Sequence, residues 1–357
     1  MKKTLLPLLS LLLLAVSCTT EKEIPETSYL FCFFSNNTPE GEQIRYAISD
    51  DGFNYRSLND GKPVVLSDSI ALTGSIRDPH LIRGVDGKTF YMVLTDMRSS
   101  LGWQSNDGLI LMKSTDLIHW DHKAIDFPSR FPDLEGHDRD NLHAVWAPQT
   151  IWDPDSQRYM IYYSIGRHDW EYETNDSIRD EETGEKKPFY QPYFKIFYSY
   201  ANEDFTNITE PKLLFDFGKA AIDGDIVRDE KNDQYVLFFK DEGRSVDNNG
   251  FKTRQGVMRA TSKNLTGPYE IEWKHLNKPG QFPVEGSSVF QLADGSKWIL
   301  MYDCYSDGYY QFCESEDLQH FTHVHDTPTE GNFTPRHGSV ILITKEERQR
   351  LEDAFGY

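Results

Sequence analysis

Four ionisable residues stand at one position of a repeated six-residue motif, and they define the chemistry to be expected. The five copies read Arg77-Asp78-Pro79-His80-Leu81-Ile82, Trp146-Ala147-Pro148-Gln149-Thr150-Ile151, Ile222-Asp223-Gly224-Asp225-Ile226-Val227, Val284-Glu285-Gly286-Ser287-Ser288-Val289 and Arg336-His337-Gly338-Ser339-Val340-Ile341. The third position is always Pro or Gly, and the sixth is always Ile or Val. The second holds Asp78, Ala147, Asp223, Glu285 and His337. Equivalent places in a symmetric fold would bring these side chains to one small volume. Three carboxyl groups in one cleft oppose each other's ionisation, and burial adds to the effect, so at least one should keep its proton. A protonated carboxyl facing an ionised one is what acid–base cleavage of a glycosidic bond requires.

The elements that must position these residues are strands. Apolar runs at 90–95, 159–164, 235–239 and 298–302 each follow one of the first four copies by roughly ten residues. The turns between are rich in Asp, Asn and Gly, as at Asp86-Gly87 and Asp294-Gly295, which tight hairpins need. A second repeat interleaves with the first at 49–55, 114–120, 202–208, 262–269 and 315–321: a small polar residue, an Asp or Asn, then an apolar residue and an aromatic or Ile. Five interleaved units of four short strands predict an all-β chain folded as a five-bladed β-propeller. The chain starts with an outer turn and ends with a lone inner motif. The N-terminal strands and the segment 336–343 should therefore complete one blade together and close the ring, which removes a free sheet edge. Thr344-Lys345-Glu346-Glu347 is a capping box that opens a short final helix. Two stretches, 97–107 and 166–192, are expected to be long loops that wall a cleft. Trp103 and Trp170 on those loops, together with Trp146, are candidates for stacking on a sugar ring.

The first residues predict export. Lys2 and Lys3 precede an apolar run too short to span a bilayer comfortably, and Leu14-Ala15-Val16-Ser17-Cys18 resembles a bacterial lipobox. The expectation is a lipoprotein signal peptide at 1–17, a lipidated tether at 18–27 carried by Cys18, and one catalytic domain at 28–357. That implies a cell-envelope protein, anchored to the outer membrane by lipid alone and monomeric. A formal charge of −20 over 357 residues would repel polyphosphate and argues against a nucleic-acid partner. It suits an enzyme of neutral substrates. Cys32, Cys304 and Cys313 are too few for a disulfide framework; Cys304 and Cys313 could pair across strands or remain buried thiols.

The five motif copies, in their order and spacing, resemble glycoside hydrolase family 43 over nearly the whole chain after the tether. The resemblance implies a five-bladed propeller and an inverting mechanism. By position, it implies Asp78 as general base, Asp223 as the residue that orients the acid and raises its pKa, and Glu285 as general acid. His337 matches an axial His that often holds a calcium ion or an ordered water, so a structural Ca2+ is expected as an option and no other cofactor. Arg77 and Arg336, beside these acids, are candidate substrate ligands. Gln149 stands where an acidic residue is frequent. The implied activity is exo-hydrolysis of terminal sugars from plant polysaccharide side chains, best matched by an α-L-arabinofuranosidase. β-Xylosidase, β-galactofuranosidase and exo-galactanase are the alternatives inside the family. A glycan-binding surface lipoprotein without catalysis, or a structural lipoprotein of an uptake assembly, are the alternatives outside it.

Overall fold

The computed structural model describes residues 25–179, 183–243, 247–248, 251–327 and 333–357. The expected signal peptide and Cys18 lie outside the described residues. Five four-stranded antiparallel sheets make the blades. From the inner strand outward, the first blade is Ile76–Arg83, Phe90–Asp96, Gly108–Ser114 and Asp121–Asp126. The second is Leu142–Asp153, Arg158–Arg179, Lys186–Tyr200 and Lys212–Phe215, and the third Ala221–Asp229, Gln234–Asp241, Val257–Ser262 and Glu270–Glu272. The fourth is Glu285–Gln291, Trp298–Cys304, Tyr309–Ser315 and Thr322–Asp326. The fifth joins both ends of the chain: Arg336–Thr344 is its inner strand, and Thr27–Phe34, Arg45–Ser49 and Arg56–Ser57 complete it. The inner strands touch in sequence, and the fifth touches the first, so the ring is closed.

Each blade buries its two faces against its neighbours, so the core is divided into apolar layers between blades. Leu30, Tyr46, Leu81 and Met92 pack between the fifth and first blades, and Val93, Leu111, Val145 and Tyr163 between the first and second. Phe31 and Phe33 of the closing strand meet Tyr310, Phe312 and Phe333 in the layer between the fourth and fifth. Cys32, Cys304 and Cys313 are buried free thiols. Thr344 caps the final helix, Lys345–Phe355: its side chain accepts from the Glu347 N–H while the Glu347 carboxylate accepts from the Thr344 N–H. The same Glu347 pairs with Arg83 at 2.7 Å and ties the helix to the first blade.

Every inner strand carries a bulge at the motif. Pairing with the second strand skips the two residues Asp78-Pro79, Ala147-Pro148, Asp223-Gly224 and Gly286-Ser287 in the first four blades, and His337 alone in the fifth. Asp78, Ala147, Asp223 and Gly286 take φ of 50°, 47°, 54° and 59°, the left-handed region. The fourth blade thereby corrects the sequence alignment by one residue. By register Glu285 is equivalent to Arg77, Trp146 and Ile222, and Gly286 to Asp78, Ala147 and Asp223. Only glycine enters the left-handed region without steric cost, so this blade places its glycine in the bulge and its acid one residue earlier.

Just past the bulge, in the first four blades, an N–H on the free edge of the inner strand is captured by the neighbouring blade. Leu81 donates to Ser339 Oγ at 2.8 Å, Thr150 to His80 Nδ1 at 3.1 Å, Ile226 to Tyr162 Oη at 2.9 Å and Val289 to Asp225 Oδ2 at 2.6 Å. Counting four residues on from Arg77, Trp146, Ile222 and Glu285 gives those same donors, which confirms the corrected register. Gln149 belongs to this system as well: it is buried and accepts from Tyr162 Oη at 3.2 Å.

The stretch 166–192 is largely strand where a loop was expected. Arg158–Arg179 and Lys186–Tyr200 pair from Tyr200 opposite Met160 out to Lys186 opposite Arg179. The alternation Trp170-Glu171-Tyr172-Glu173 is a period-two pattern, which is a strand signal; its charge density disguised it.

The closing strand should carry stability out of proportion to its length. Phe31 has no exposure, and its ring centre lies 5.3 Å from Tyr55 and 5.5 Å from Tyr310. Phe31→Ala is expected to lower unfolding free energy in urea by about 3–5 kcal/mol. A loss below about 1 kcal/mol would mean that the seam between the fourth and fifth blades is not a tightly packed layer.

Candidate active site

The bulges open onto one cavity of about 500 Å³. Of the residues singled out in the sequence, Arg77, Asp78, Trp103, Trp146, Asp223, Glu285, Arg336 and His337 line it. Trp170 does not. Its ring stacks on Phe197, 6.1 Å between centres and 13° between planes, with Arg167 and Lys195 against its faces. It covers the second blade because the segment that carries it continues the sheet. Of the stretch 97–107, Met97 and Trp103 do form cavity wall. Trp103 is 53% exposed, with the Arg77 guanidinium 5.3 Å from its ring centre. Trp146 stacks on Phe194 at 4.6 Å and 17°, which fixes the plane of its indole.

The acids occupy different electrostatic settings. Asp78 is held by His337, whose Nδ1 lies 3.5 Å from Oδ1. Burial alone would raise the Asp78 carboxyl, but the hydrogen bond and charge of His337, with Arg77 beyond it, hold it below the ordinary aspartate value. His337 is raised to about 9: burial opposes its charge, and Asp223, Asp78 and Glu285 together outweigh burial. The base-forming pair is thus an aspartate and an imidazolium.

Asp223 is the contrasting case: burial, reinforced by the charges of Glu285 and Asp78, pushes its carboxyl up although His337 and Lys240 oppose the rise, and its Oδ2 accepts the Gly286 N–H at 3.0 Å. Glu285 is the opposite case. Its Oε2 is 3.1 Å from Lys240 Nζ and its Oε1 is 2.8 Å from Arg336 Nη2. Burial raises the Glu285 carboxyl, but Lys240 and Arg336 together bring it below the ordinary glutamate value. These directions run against the expectation that Glu285 is raised and Asp223 ionised, and the cause is not contained in the motif: two cations clamp Glu285, and one of them, Lys240, lies outside the inner-strand repeat.

Behind the visible wall stands a second acid. Asp303 is fully buried and its Oδ2 accepts from Arg336 Nε at 2.5 Å. Burial raises Asp303 to about 7 despite the opposing charge of Arg336. Asp225, two residues beyond Asp223, is likewise raised to about 7 by burial. It serves the seam to the fourth blade and does not line the cavity.

Lys240, Glu242, Tyr305, Asn37 and Gln255 also line the cavity and were missed in the sequence. Lys240 and Asp303 had a signal. Both end an apolar second strand, and they pair directly across from Ile222 and Glu285, the residues just before the bulge. Arg77 pairs there with Thr95 and Trp146 with Ser164. A polar residue closing an otherwise apolar strand, opposite the motif, marks a cavity neighbour.

Calcium takes six to eight oxygen ligands. Among the described residues, no three His, Cys, Asp or Glu side chains converge to hold a metal.

The description "Probable glycosyl hydrolase domain" belongs to a family model, related to glycoside hydrolase family 43, that matches residues 25–349. An α-L-arabinofuranosidase of Bifidobacterium longum subsp. longum is 26% identical over 277 residues, which cover 75% of this chain. The chain spans only 24% of the length of that curated relative. Three solved structures share the fold. An arabinoxylan arabinofuranohydrolase of family 43 from Bacillus subtilis aligns with a TM-score of 0.56 at 14% identity, covering 87% of this chain and 66% of that one. An exo-β-1,3-galactanase from Clostridium thermocellum gives 0.55 at 12% identity, covering 88% and 63%. An exo-1,5-α-L-arabinanase from a bovine ruminal metagenomic library gives 0.51 at 15% identity, covering 85% and 95%.

Gly286 tests the corrected register. A Cβ there would lie 2.7–2.9 Å from atoms of the buried His337 side chain, on a backbone at φ 59°. Gly286→Ala is expected to cost about 1–3 kcal/mol of stability by urea denaturation. Unchanged stability would place the bulge elsewhere in the fourth blade.

Proposed function

From the premise that the chain belongs to the family of probable glycosyl hydrolase domains related to family 43, we propose that it is an inverting exo-glycosidase. The observation that carries this reading is the convergence of Asp78, Asp223 and Glu285 on one cavity, in settings that hold the Asp78 carboxyl low and push the Asp223 carboxyl up.

Asp78 takes a proton from a water molecule while that water attacks the anomeric carbon. His337 keeps Asp78 ionised and aimed. The bond from the anomeric carbon to the leaving oxygen breaks as Glu285 delivers a proton to that oxygen from the opposite side. One displacement with water as nucleophile inverts the anomeric centre. Coupled carboxyls share their protons as a pair. Asp223 and Glu285 form such a pair, in which burial favours a proton on Asp223 while Lys240 and Arg336 disfavour one on Glu285. Glu285 takes up the proton it donates once substrate shields it from its cations. Trp146, fixed by Phe194, and Trp103 offer apolar faces for the sugar, and Arg77 and Arg336 offer donors to its hydroxyls.

The sugar we propose is a terminal α-L-arabinofuranosyl unit on a plant polysaccharide side chain. The curated relative's activity supports this choice. We further propose that Cys18 carries the lipid that anchors the protein to the outer membrane; the lipobox-like pattern at 14–18 supports it.

The decisive assay sets wild type and Glu285→Gln on aryl glycosides of arabinofuranose, xylose, galactofuranose and galactose, with the product anomer followed by NMR. Wild type should release arabinose with inverted configuration, and the variant should lose about 10²–10⁴-fold in kcat/KM. Equal turnover in both proteins would refute the catalytic assignment. Retained configuration would refute the single displacement.

A further inference from the structure

Lys240 is out of place for a general acid's neighbour. A cation beside a carboxyl favours its ionised form, and an acid must hold a proton before it can donate one. Yet Lys240 Nζ sits 3.1 Å from Glu285 Oε2, and 2.7 Å from Glu242 Oε2. Its side chain is only 3% exposed but reaches the cavity wall. Arg336, the other cation on Glu285, is tied from behind to buried Asp303 at 2.5 Å. Of the two cations, Lys240 is the one with an alternative anion on the cavity side. It has a compact charge on a flexible four-carbon stem, so it can release one partner and keep the other.

We infer that Lys240 and Glu242 are positioning residues that determine when Glu285 carries its proton. In the empty cavity Lys240 is shared between the two glutamates. When the glycosidic oxygen reaches Glu285, Lys240 withdraws onto Glu242, and Glu285 is left with Arg336 alone among its close cations. Glu242 is the holdfast that makes withdrawal possible without stranding a buried charge. The other groups facing this pair stay in place: Tyr305 and Asp223 face Lys240, and His337 and Asp223 face Glu285. The inference rests on the hydrolase reading above.

The pair makes opposite predictions for its two members. Lys240→Met removes a cation from Glu285, so the alkaline limb of kcat/KM against pH should move up by about 1 pH unit. Glu242→Gln removes the competing anion, so the limb should move down. Lys240→Arg should leave it nearly in place. A purely structural role would weaken activity without moving the limb in opposite directions. The Glu285 carboxyl can also be titrated directly by ¹³C NMR in wild type and both variants, with its signal assigned by its loss in Glu285→Gln. Opposite displacements of that titration support the inference. Displacements in one direction, none at all, or a change confined to KM overturn it. A wild type that cleaves no glycoside while the titrations move as stated would refute the hydrolase reading alone.

Discussion

A bulge in each inner strand is the constraint on which the rest of the structure depends. It turns the backbone into a left-handed conformation at Asp78, Ala147, Asp223 and Gly286. For a non-glycine residue that conformation costs about 1–2 kcal/mol, so the surroundings must enforce it. They do so at the seams. In the first four blades an inner-strand N–H just past the bulge is taken by Ser339, His80, Tyr162 or Asp225 of the adjoining blade. One local distortion therefore performs two tasks: it hydrogen-bonds blade to blade, and it sets the side chains at and just before it toward the common cavity.

The cavity those side chains form is a closed charge network. Arg77 pairs with buried Glu42, Arg336 bridges Asp303 and Glu285, Lys240 bridges Glu242 and Glu285, and His337 faces Asp78. Buried charges are tolerable only when paired, and removing one member of a buried pair strands the other at a cost of about 3–5 kcal/mol. Burial pushes the Asp223 carboxyl up in spite of the nearby charges of His337 and Lys240. Balance among neighbours, more than any single residue, decides which carboxyl is base and which is proton store.

Much of this was legible in the sequence because the fold is a repeat. The inner motif fixed blade number, the shared fifth blade and the convergence of Asp78, Asp223, Glu285 and His337. The capping box at Thr344 was likewise a local signal with a local cause. What failed were properties that a linear motif does not hold. Val284-Glu285-Gly286 fits the repeat in two registers, and only the left-handed requirement at Gly286 chooses between them. The alternation around Trp170 was masked by its acidic residues, so a strand passed for a loop and Trp170 for a cavity wall. Lys240 and Asp303 sit across the sheet from the motif, where pairing register rather than proximity in sequence makes them neighbours. The Glu285 carboxyl is held low, against expectation, because Lys240, one of its two flanking cations, is not part of the motif.

The most direct test of the central claim is a crystal structure of the Asp78→Asn protein with an uncleaved aryl α-L-arabinofuranoside. The account predicts the sugar in the cavity beside Trp146, its glycosidic oxygen within hydrogen-bond reach of Glu285, and a water between Asn at position 78 and the anomeric carbon. A glycoside seated on an outer blade surface, or one whose glycosidic oxygen faces away from Glu285, would contradict it.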